Sequence, residues 1–377
     1  MNSSELREIA LTTLSQLGRL PTTSYYEQPA AAYLASRCES FGLEVQEDAW
    51  GNVLASRPGS EPGAPGIAFI AHMDHPGFEA VAEQDGHVVA RVHGGVPPWA
   101  EESGAPVLAL VRDPDEPDIR RAHVDRIRGR IVGKAEGTSE RSVIIRFDEP
   151  LPELPVPIVF DLPDFDLGDG LIRMRAADDL AGCATIMAVM AAAAEFESPG
   201  AIYGLFTRAE EVGLIGALLA AEGGLLPRDT VVVSVETSLA LPGAEQGNGP
   251  VIRTGDRATT FDNAAEAYLV AARSKLMAED KNVKVQRQLM GAGGCEASAF
   301  AAHGYSVTGM AYPLGAWHNA GPGNTIASEY ISLDDFAGGV LLATEAAKLA
   351  GTNPASPSTV RLRQPVGVRE RHWLRAP

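Results

Sequence analysis

The chain has 377 residues, of which 45% are hydrophobic and 21% charged, and this indicates a folded protein with two domains or one large domain that carries an insertion. The formal net charge of -18 predicts that nucleic acid is not a partner, because phosphate recognition needs clustered Lys and Arg. The chain starts without a signal-peptide pattern, no apolar run approaches the roughly 18 residues that span a bilayer, and the three cysteines stand at wide spacings typical of reduced thiols. We therefore expect a cytoplasmic protein with no membrane partner.

Residues 1–76 predict the first part of an α/β domain. Helical periodicity covers about residues 4–17 and 26–41, and strand-like segments follow near 43–48 and 66–71. The last of these strands leads directly into a candidate metal-binding motif.

Residues 77–171 predict a small β domain inserted into the α/β domain. Short alternating segments such as 88–92 and 142–146 are separated by Gly, Pro and Asp, which is typical of strands joined by turns. No pattern of helix length occurs in this region.

Residues 172–351 predict the second part of the α/β domain. The predicted helices lie near 179–195, 213–221, 261–279, 296–303 and 334–350, and the predicted strands near 201–207, 230–236, 283–288 and 305–312. Strands that alternate with helices indicate a mixed, largely parallel sheet flanked by helices. Residues 352–377 hold four prolines and five arginines without an apolar period, so we expect a solvated C-terminal tail, with an oligomer contact as the alternative.

The first candidate motif is His72-Met73-Asp74, at the end of the strand near 66–71. Side chains two residues apart in a strand face the same way, so His72 and Asp74 would project together. The carboxylate could then orient the ring whose other nitrogen binds a metal. Taken alone, the motif is also compatible with a turn in which Asp74 caps the backbone before Pro76.

The second candidate motif is Asp178-Asp179, directly before an apolar helix. Aspartate is favoured at a helix N-cap, which explains one of the two residues well. A carboxylate has two oxygens that can bridge two cations. One aspartate of this pair could therefore bridge metals while the second serves the start of the helix.

The third candidate motif is Glu210-Glu211, directly after the strand near 201–207. Two carboxylates at the end of a buried strand are costly unless their charge is compensated, and a bound dication compensates it. One glutamate could bind the metal while the other accepts a proton from metal-bound water. The alternative is an acidic first turn of the next helix.

Two further residues, Glu236 and His318, follow predicted strands in the second half of the chain. Alone, each would be an ordinary surface carboxylate or a satisfied histidine. Together with the earlier motifs they give oxygen and imidazole donors without a thiolate, which is a set suited to zinc, cobalt or manganese. The candidate ligands for two divalent metal ions, with one shared aspartate, are His72, Asp178, Glu211, Glu236 and His318.

With these motifs the chain resembles the tetrahedral and glutamyl aminopeptidases, a family of di-metal metallopeptidases. The matching stretches are Ala71-His72-Met73-Asp74, Asp178-Asp179-x-x-Gly182-Cys183, Glu210-Glu211-Val212-Gly213-Leu214-x-Gly216-Ala217, Gly249-Pro250 and Gly293-Gly294. They run in the family's order across about residues 1–350, and the family places its small β domain between the His-x-Asp and Asp-Asp motifs, as this chain does. The resemblance implies a zinc-peptidase-like α/β fold with an inserted small β-barrel domain, and a homo-oligomer that assembles through the inserted domain.

The resemblance also implies a role for each candidate residue. His72 and Glu236 would bind one metal, Glu211 and His318 would bind the other, and Asp178 would bridge them. In addition, Glu210 would be the general base and then acid, and Asp74 would orient a ligand. The implied reaction is attack on a peptide carbonyl by a hydroxide held between the two metals, with a proton returned to the leaving amine.

This chain departs from the family's pattern at several positions. Leu180 stands in place of the arginine of Asp-Asp-Arg, Glu236 in place of Asp, Cys295-Glu296 in place of the Thr-Asp of Gly-Gly-Thr-Asp, and His75-Pro76 in place of Glu-Ile. Glutamate for aspartate keeps a carboxylate, so metal binding should survive. Loss of the arginine removes a fixed cation that could hold a carboxylate or a substrate group. Glu296 is also explained as an acid in the first turn of a helix.

Three functional hypotheses follow from the sequence. The first is an aminopeptidase or dipeptidase that acts on free N-termini, and the second is a deacylase or amidohydrolase that acts on an N-acyl or non-peptide amide. The third is a non-catalytic metal-binding scaffold. Retention of Glu210 beside all five ligand positions argues against the scaffold, because a scaffold needs no base beside the metals.

Overall fold

Helices on both faces of a central sheet enclose the core of the α/β domain. The computed structural model describes residues 1–112, 124–355 and 357–374. The helices are α1 (Ser3–Gly18), α2 (Gln28–Ser40), α3 (Ala177–Ala193), α4 (Ile215–Glu222), α5 (Asn263–Glu279), α6 (Glu296–Ala302), α7 (Leu333–Ala347), α8 (Pro357–Leu362) and α9 (Val368–Trp373), with short 3-10 helices at Pro98–Glu102 and Trp317–Asn319.

The strands divide between a central sheet, a barrel and a small hairpin. They are β1 (Glu44–Glu47), β2 (Val53–Arg57), β3 (Ile67–His72), β4 (Gly77–Gln84), β5 (His87–His93), β6 (Pro106–Arg112), β7 (Val124–Lys134), β8 (Ser142–Phe147), β9 (Val156–Phe160), β10 (Asp166–Gly168), β11 (Leu171–Met174), β12 (Ile202–Thr207), β13 (Val231–Leu239), β14 (Val251–Arg253), β15 (Gln286–Gln288), β16 (Ser306–Gly315), β17 (Ala320–Gly321), β18 (Thr325–Ile326) and β19 (Glu329–Ser332).

The central sheet has a parallel middle and antiparallel edges. Its order is β1-β2-β12-β3-β13-β16-β19-β11-β10, and β14 pairs with β15 and β16. Strands β12, β3, β13 and β16 run parallel to one another. Phe69 of β3 packs in the cluster that includes α1 and α3, whereas Ile70 packs in the cluster that includes α4 and α6. The predicted fold class is therefore confirmed, including helices on both faces of a mixed sheet.

The inserted β region forms a closed antiparallel barrel between β3 and the return of the chain to the sheet. The strand order around the barrel is β4-β5-β8-β7-β6-β9. Its interior is a separate apolar cluster that contains Phe78, Ile158 and Phe160. Part of the predicted β domain, residues 113–123, lies outside the described residues.

The short edge strands are the main structural features that the sequence did not predict. The strand expected near 283–288 is limited to Gln286–Gln288, and β10, β11, β14 and β19 are each only three or four residues long. Runs this short show too few alternations to be recognised by periodicity. These strands extend the sheet beside the parallel middle.

The C-terminal segment contains the short helices α8 and α9, where the sequence predicted only a solvated tail. Its apolar side chains are largely in solvent, since Leu362 is 80% exposed and Leu374 is 85% exposed. Residues 356 and 375–377 of the predicted tail lie outside the described residues. Among the residues that the structure describes, no helix combines the length and apolar character needed to cross a membrane.

Candidate metal centre

Most of the candidate ligands follow the carboxyl ends of the parallel strands, and Asp178 comes from the start of α3. His72 is the last residue of β3 and pairs in register with Thr207, the last residue of β12. Glu210 and Glu211 follow β12 in the next loop, Glu236 lies in β13, and His318 lies just after β16. The carboxyl ends of parallel strands share one edge of a sheet, which is where α/β proteins place their sites.

One cleft of about 400 Å³ collects these side chains. Six of the seven residues predicted from the sequence line it: His72, Asp178, Glu210, Glu211, Glu236 and His318. The seventh, Asp74, is fully buried behind the cleft wall.

Asp178 lies between the two candidate histidines. Its Oδ1 is 3.4 Å from His72 Nε2 and its Oδ2 is 3.8 Å from His318 Nε2. Glu211 Oε2 is 3.3 Å from the same His318 nitrogen, and Glu210 Oε2 is 3.9 Å from His72 Nε2. Each oxygen of Asp178 therefore faces a different histidine, which is the arrangement that a carboxylate bridging two metals requires.

Several buried carboxylate oxygens lack a hydrogen-bond partner among the described residues: Asp178 Oδ1, Asp179 Oδ2, Glu211 Oε1 and Glu236 Oε1. The side chains form two groups of potential ligands, and within each group the donor atoms all lie within 4.8 Å of one another. One group consists of His72, Asp178 and Glu211, and the other of His72, Asp179 and Glu236. Buried lone pairs without partners are costly, and divalent cations satisfy them. The residues present fit a metal centre.

Asp179 contributes to both the helix and the edge of this centre. Residues 178 and 179 have non-helical backbone angles although they fall within α3. The Gly182 N–H donates to Asp179 Oδ1 at 3.1 Å, so the prediction that the second aspartate serves the helix start is confirmed. A carboxylate oxygen of Asp179 also lies in the group formed with His72 and Glu236, which the sequence did not indicate.

The ring of His72 is oriented by the backbone of Asp74 more closely than by its carboxylate. His72 Nδ1 lies 3.0 Å from the main-chain oxygen of Asp74 and 3.6 Å from Asp74 Oδ1. With its proton directed to that carbonyl, the ring presents Nε2 to the cleft. The Asp74 carboxylate instead accepts the backbone N–H groups of Glu210 at 2.9 Å and Glu211 at 3.2 Å, and the Ser24 hydroxyl at 2.6 Å. Asp74 thus fixes the loop that carries both glutamates.

His318 is held by two residues that the sequence analysis missed. Its Nδ1 lies 3.1 Å from the carbonyl oxygen of Gly95, in the loop that follows β5 of the barrel. A Cβ at Gly95 would lie 2.2 Å from that nitrogen, so only glycine fits. The fully buried Glu329 accepts the backbone N–H of His318 at 2.8 Å and that of Asp178 at 2.9 Å. No sequence motif marks Glu329, because the fold alone brings it to its two partners, which are 11 and 151 residues away.

His75, one of the departures from the family's pattern, contacts the backbone of Asp178 and the side chain next to His318. Its Nδ1 lies 2.8 Å from the main-chain oxygen of Asp178, and its Nε2 lies 3.0 Å from Asn319 Oδ1. The Asn319 amide in turn donates to the Arg175 carbonyl at 2.8 Å. His75 therefore links the strand that bears His72 to the turn that bears His318.

The ionisation of these groups reflects crowded negative charge. Burial raises the pKa of Glu210 well above its usual range, and the carboxylates of Glu211 and Glu296 raise it further. Burial alone would lower the pKa of His318, but the neighbouring Glu211 raises it to about 9. Burial alone would raise the pKa of Asp178, but His72 and His318 lower it. Such a cluster favours the binding of cations.

A central sheet with a carboxylate and histidine centre at its edge is typical of metal-dependent hydrolases. Within this class, residues 156–326 match the family model described as M42 glutamyl aminopeptidase. The matched range contains every candidate ligand except His72. The match confirms the resemblance predicted from the sequence and the predicted class of enzyme, a metallo-aminopeptidase, and the family implies divalent metal ions.

Solved structures of aminopeptidases share the fold. The aminopeptidase APDkam598 from the archaeon Desulfurococcus kamchatkensis is 23% identical, with a TM-score of 0.73 over 96% of this chain and 99% of that one. The TET aminopeptidase from a marine sediment Thaumarchaeota archaeon is 21% identical, with a TM-score of 0.74 over 93% and 98%. The Pyrococcus horikoshii TET1 peptidase is 20% identical, with a TM-score of 0.72 over 90% and 99%. No curated protein has a significantly similar sequence.

Proposed function

We propose that this chain is a cytoplasmic aminopeptidase that removes N-terminal residues from peptides with the help of two divalent metal ions, zinc being the first candidate and cobalt or manganese the alternatives. The observation that carries the proposal is Asp178, whose Oδ1 lies 3.4 Å from His72 Nε2 and whose Oδ2 lies 3.8 Å from His318 Nε2. His72 and Glu236 would hold one ion, Glu211 and His318 the other, and Asp178 would bridge them. Bound ions of this kind polarise a peptide carbonyl and make water nucleophilic at neutral pH.

Glu210 is the residue placed to move the proton. Its carboxylate lines the cleft and lies 3.9 Å from His72 Nε2. Glu210 is therefore close to the proposed ligands, but we do not assign it as a ligand. Its backbone is fixed by the hydrogen bond to Asp74. We assign to Glu210 the acceptance of a proton from the attacking water and its return to the leaving amine.

Matched peptide mixtures test the proposed reaction. The purified protein, loaded with zinc, cobalt or manganese, is given one set with free N-termini and one set with acetylated N-termini, and the products are followed by mass spectrometry. We expect stepwise loss of N-terminal residues from the free set alone. Release of acetate or of internal fragments would favour a deacylase or amidohydrolase, and inertness with every metal would favour the scaffold.

We also propose that the chain forms a homo-oligomer through its inserted barrel. The support is the shared fold with the TET1 peptidase, which can assemble into a tetrahedron or a large octahedral shell. The barrel also exposes the apolar side chains of Val81, at 37%, and Val132, at 49%. Light scattering after gel filtration should give a mass several times the 39.7 kDa of one chain. A single species of monomer mass at micromolar concentration would contradict this.

A further inference from the structure

A fully buried arginine beside the metal ligands has no role in the function proposed above. Arg253, the last residue of β14, is 1% exposed and lines the cleft. Within the described ranges its Nε and Nη1 have no hydrogen-bond partner. A buried guanidinium is costly unless negative charge lies nearby, so its surroundings decide what it does.

The strand register places Arg253 on the face that carries Glu236. Arg253 pairs with Gly309 of β16, and Gly309 pairs with Ser234 of β13, so the three residues lie in one row across three strands. A Cβ at Gly309 would lie 3.5 Å from Arg253 Cδ, so the arginine side chain passes over this glycine. Glu236 is two residues after Ser234 and therefore shares its face of the sheet.

A second carboxylate lies on this face, and it is one that no metal assignment uses. Glu296 begins α6 and is fully buried. Its carboxylate accepts the hydroxyls of Ser234 and Thr207, each at 3.2 Å. Two hydroxyl donors do not cancel its charge, and Glu236 adds a second carboxylate on the same face. Glu296 is in the first turn of a helix, as one sequence interpretation had it, but it faces the ligands and not solvent.

The other acidic group near Arg253 already has several partners. Asp256 accepts the backbone N–H groups of Ala258, Thr259 and Cys295 and the hydroxyl of Ser298. The positive charge of Arg253 is therefore available to the pair formed by Glu236 and Glu296.

We propose that Arg253 is a positioning residue that offsets the charge of Glu296 and keeps Glu236 turned toward its metal. The inference rests on the proposed metal centre and concerns how one of its ions is held. It requires no particular substrate.

The test compares two arginines of one cleft. Arg253→Met removes the charge and keeps an apolar stem, whereas Arg257→Met removes a charge from an exposed residue that lines the same cleft. Affinities for the two ions are measured by competition with a chelator in the intact protein. We expect Arg253→Met to lower the affinity for one ion by about 10- to 100-fold, the usual effect of losing a residue that supports a ligand. Arg257→Met should change the affinity for neither ion.

A charge-balanced double variant separates this role from general damage to the fold. If Arg253 offsets Glu296, then Glu296→Gln in the Arg253→Met background should restore most of the lost affinity, and Arg253→Lys should retain it. The midpoint of thermal unfolding without added metal is measured for Arg253→Met, Arg257→Met, Arg253→Lys and the double variant. We expect Glu296→Gln to restore this midpoint in the Arg253→Met background as well. Wild-type affinity in Arg253→Met, equal loss in Arg253→Lys, or no rescue by Glu296→Gln would overturn the proposal.

This experiment does not depend on the outcome of the peptide assay. Failure of the proposed aminopeptidase reaction would leave metal affinities and unfolding midpoints measurable in every variant. Conversely, wild-type metal affinity in Arg253→Met together with normal peptide cleavage would remove the role of Arg253 and leave the proposed function intact.

Discussion

Glu210→Gln is expected to lower turnover by about 10²- to 10⁴-fold, the usual contribution of a general base, while the protein keeps its full metal content. The amide has nearly the same shape but cannot accept the proton. The loop should stay in place because Asp74 holds the backbone N–H groups of Glu210 and Glu211. Turnover is measured on a peptide substrate and metal content by elemental analysis of the same sample.

Glu222→Gln is the matched control for this prediction, since Glu222 is an exposed glutamate at the end of α4. It should behave as the wild type in both measurements. Unchanged turnover in Glu210→Gln would remove the role that we assign to this residue, and a loss of metal would show that Glu210 is a ligand.

Asp178→Asn is expected to release both metal ions and with them all measurable turnover. Each Asp178 oxygen faces one histidine, at 3.4 Å from His72 Nε2 and 3.8 Å from His318 Nε2. An amide offers a single neutral oxygen and cannot bridge two cations. The backbone should be retained, because Glu329 accepts the Asp178 N–H and not its side chain. A calorimetric titration with zinc measures the number of metal sites that remain.

Asp179→Asn provides the comparison for Asp178→Asn, because Asp179 belongs to the donor group of His72 and Glu236 and not to that of Glu211. Asp179→Asn should at most weaken the binding of the ion held by His72 and Glu236, and the ion held by Glu211 and His318 should stay bound. Two full-affinity sites in Asp178→Asn would contradict the bridging assignment. Loss of both ions in Asp179→Asn would transfer that assignment to the neighbouring residue.

The parallel middle of the sheet was predictable because its strands carry strong local signals. Buried runs such as 67–72 and 231–236 are continuous and apolar, and each ends in a residue with metal-binding chemistry. The carboxyl ends of parallel strands meet at one edge, so the sequence could bring His72 and Glu236 together without coordinates. The same reasoning placed Glu210 and Glu211 beside them.

The supporting residues could not be predicted, because their roles depend on contacts between distant parts of the chain. Glu329 is 151 residues from Asp178, its hydrogen-bond partner, and Gly95 is 223 residues from His318. Arg253 lies in a three-residue strand too short to show its periodicity. Each of these residues is an ordinary Glu, Gly or Arg until the sheet register and the position of the barrel are known.

The hydrogen bond between Gly95 and His318 links the loop after β5 of the barrel to the candidate metal centre. Gly95 belongs to the inserted region and His318 to the turn after β16, so a 3.1 Å contact joins the two parts of the fold at a candidate ligand. Any free energy that stabilises this placement of the barrel also favours the metal-binding orientation of the ring, and the coupling is reciprocal. If the barrel makes the proposed subunit contacts, those contacts and the binding of ions in the cleft would be thermodynamically coupled.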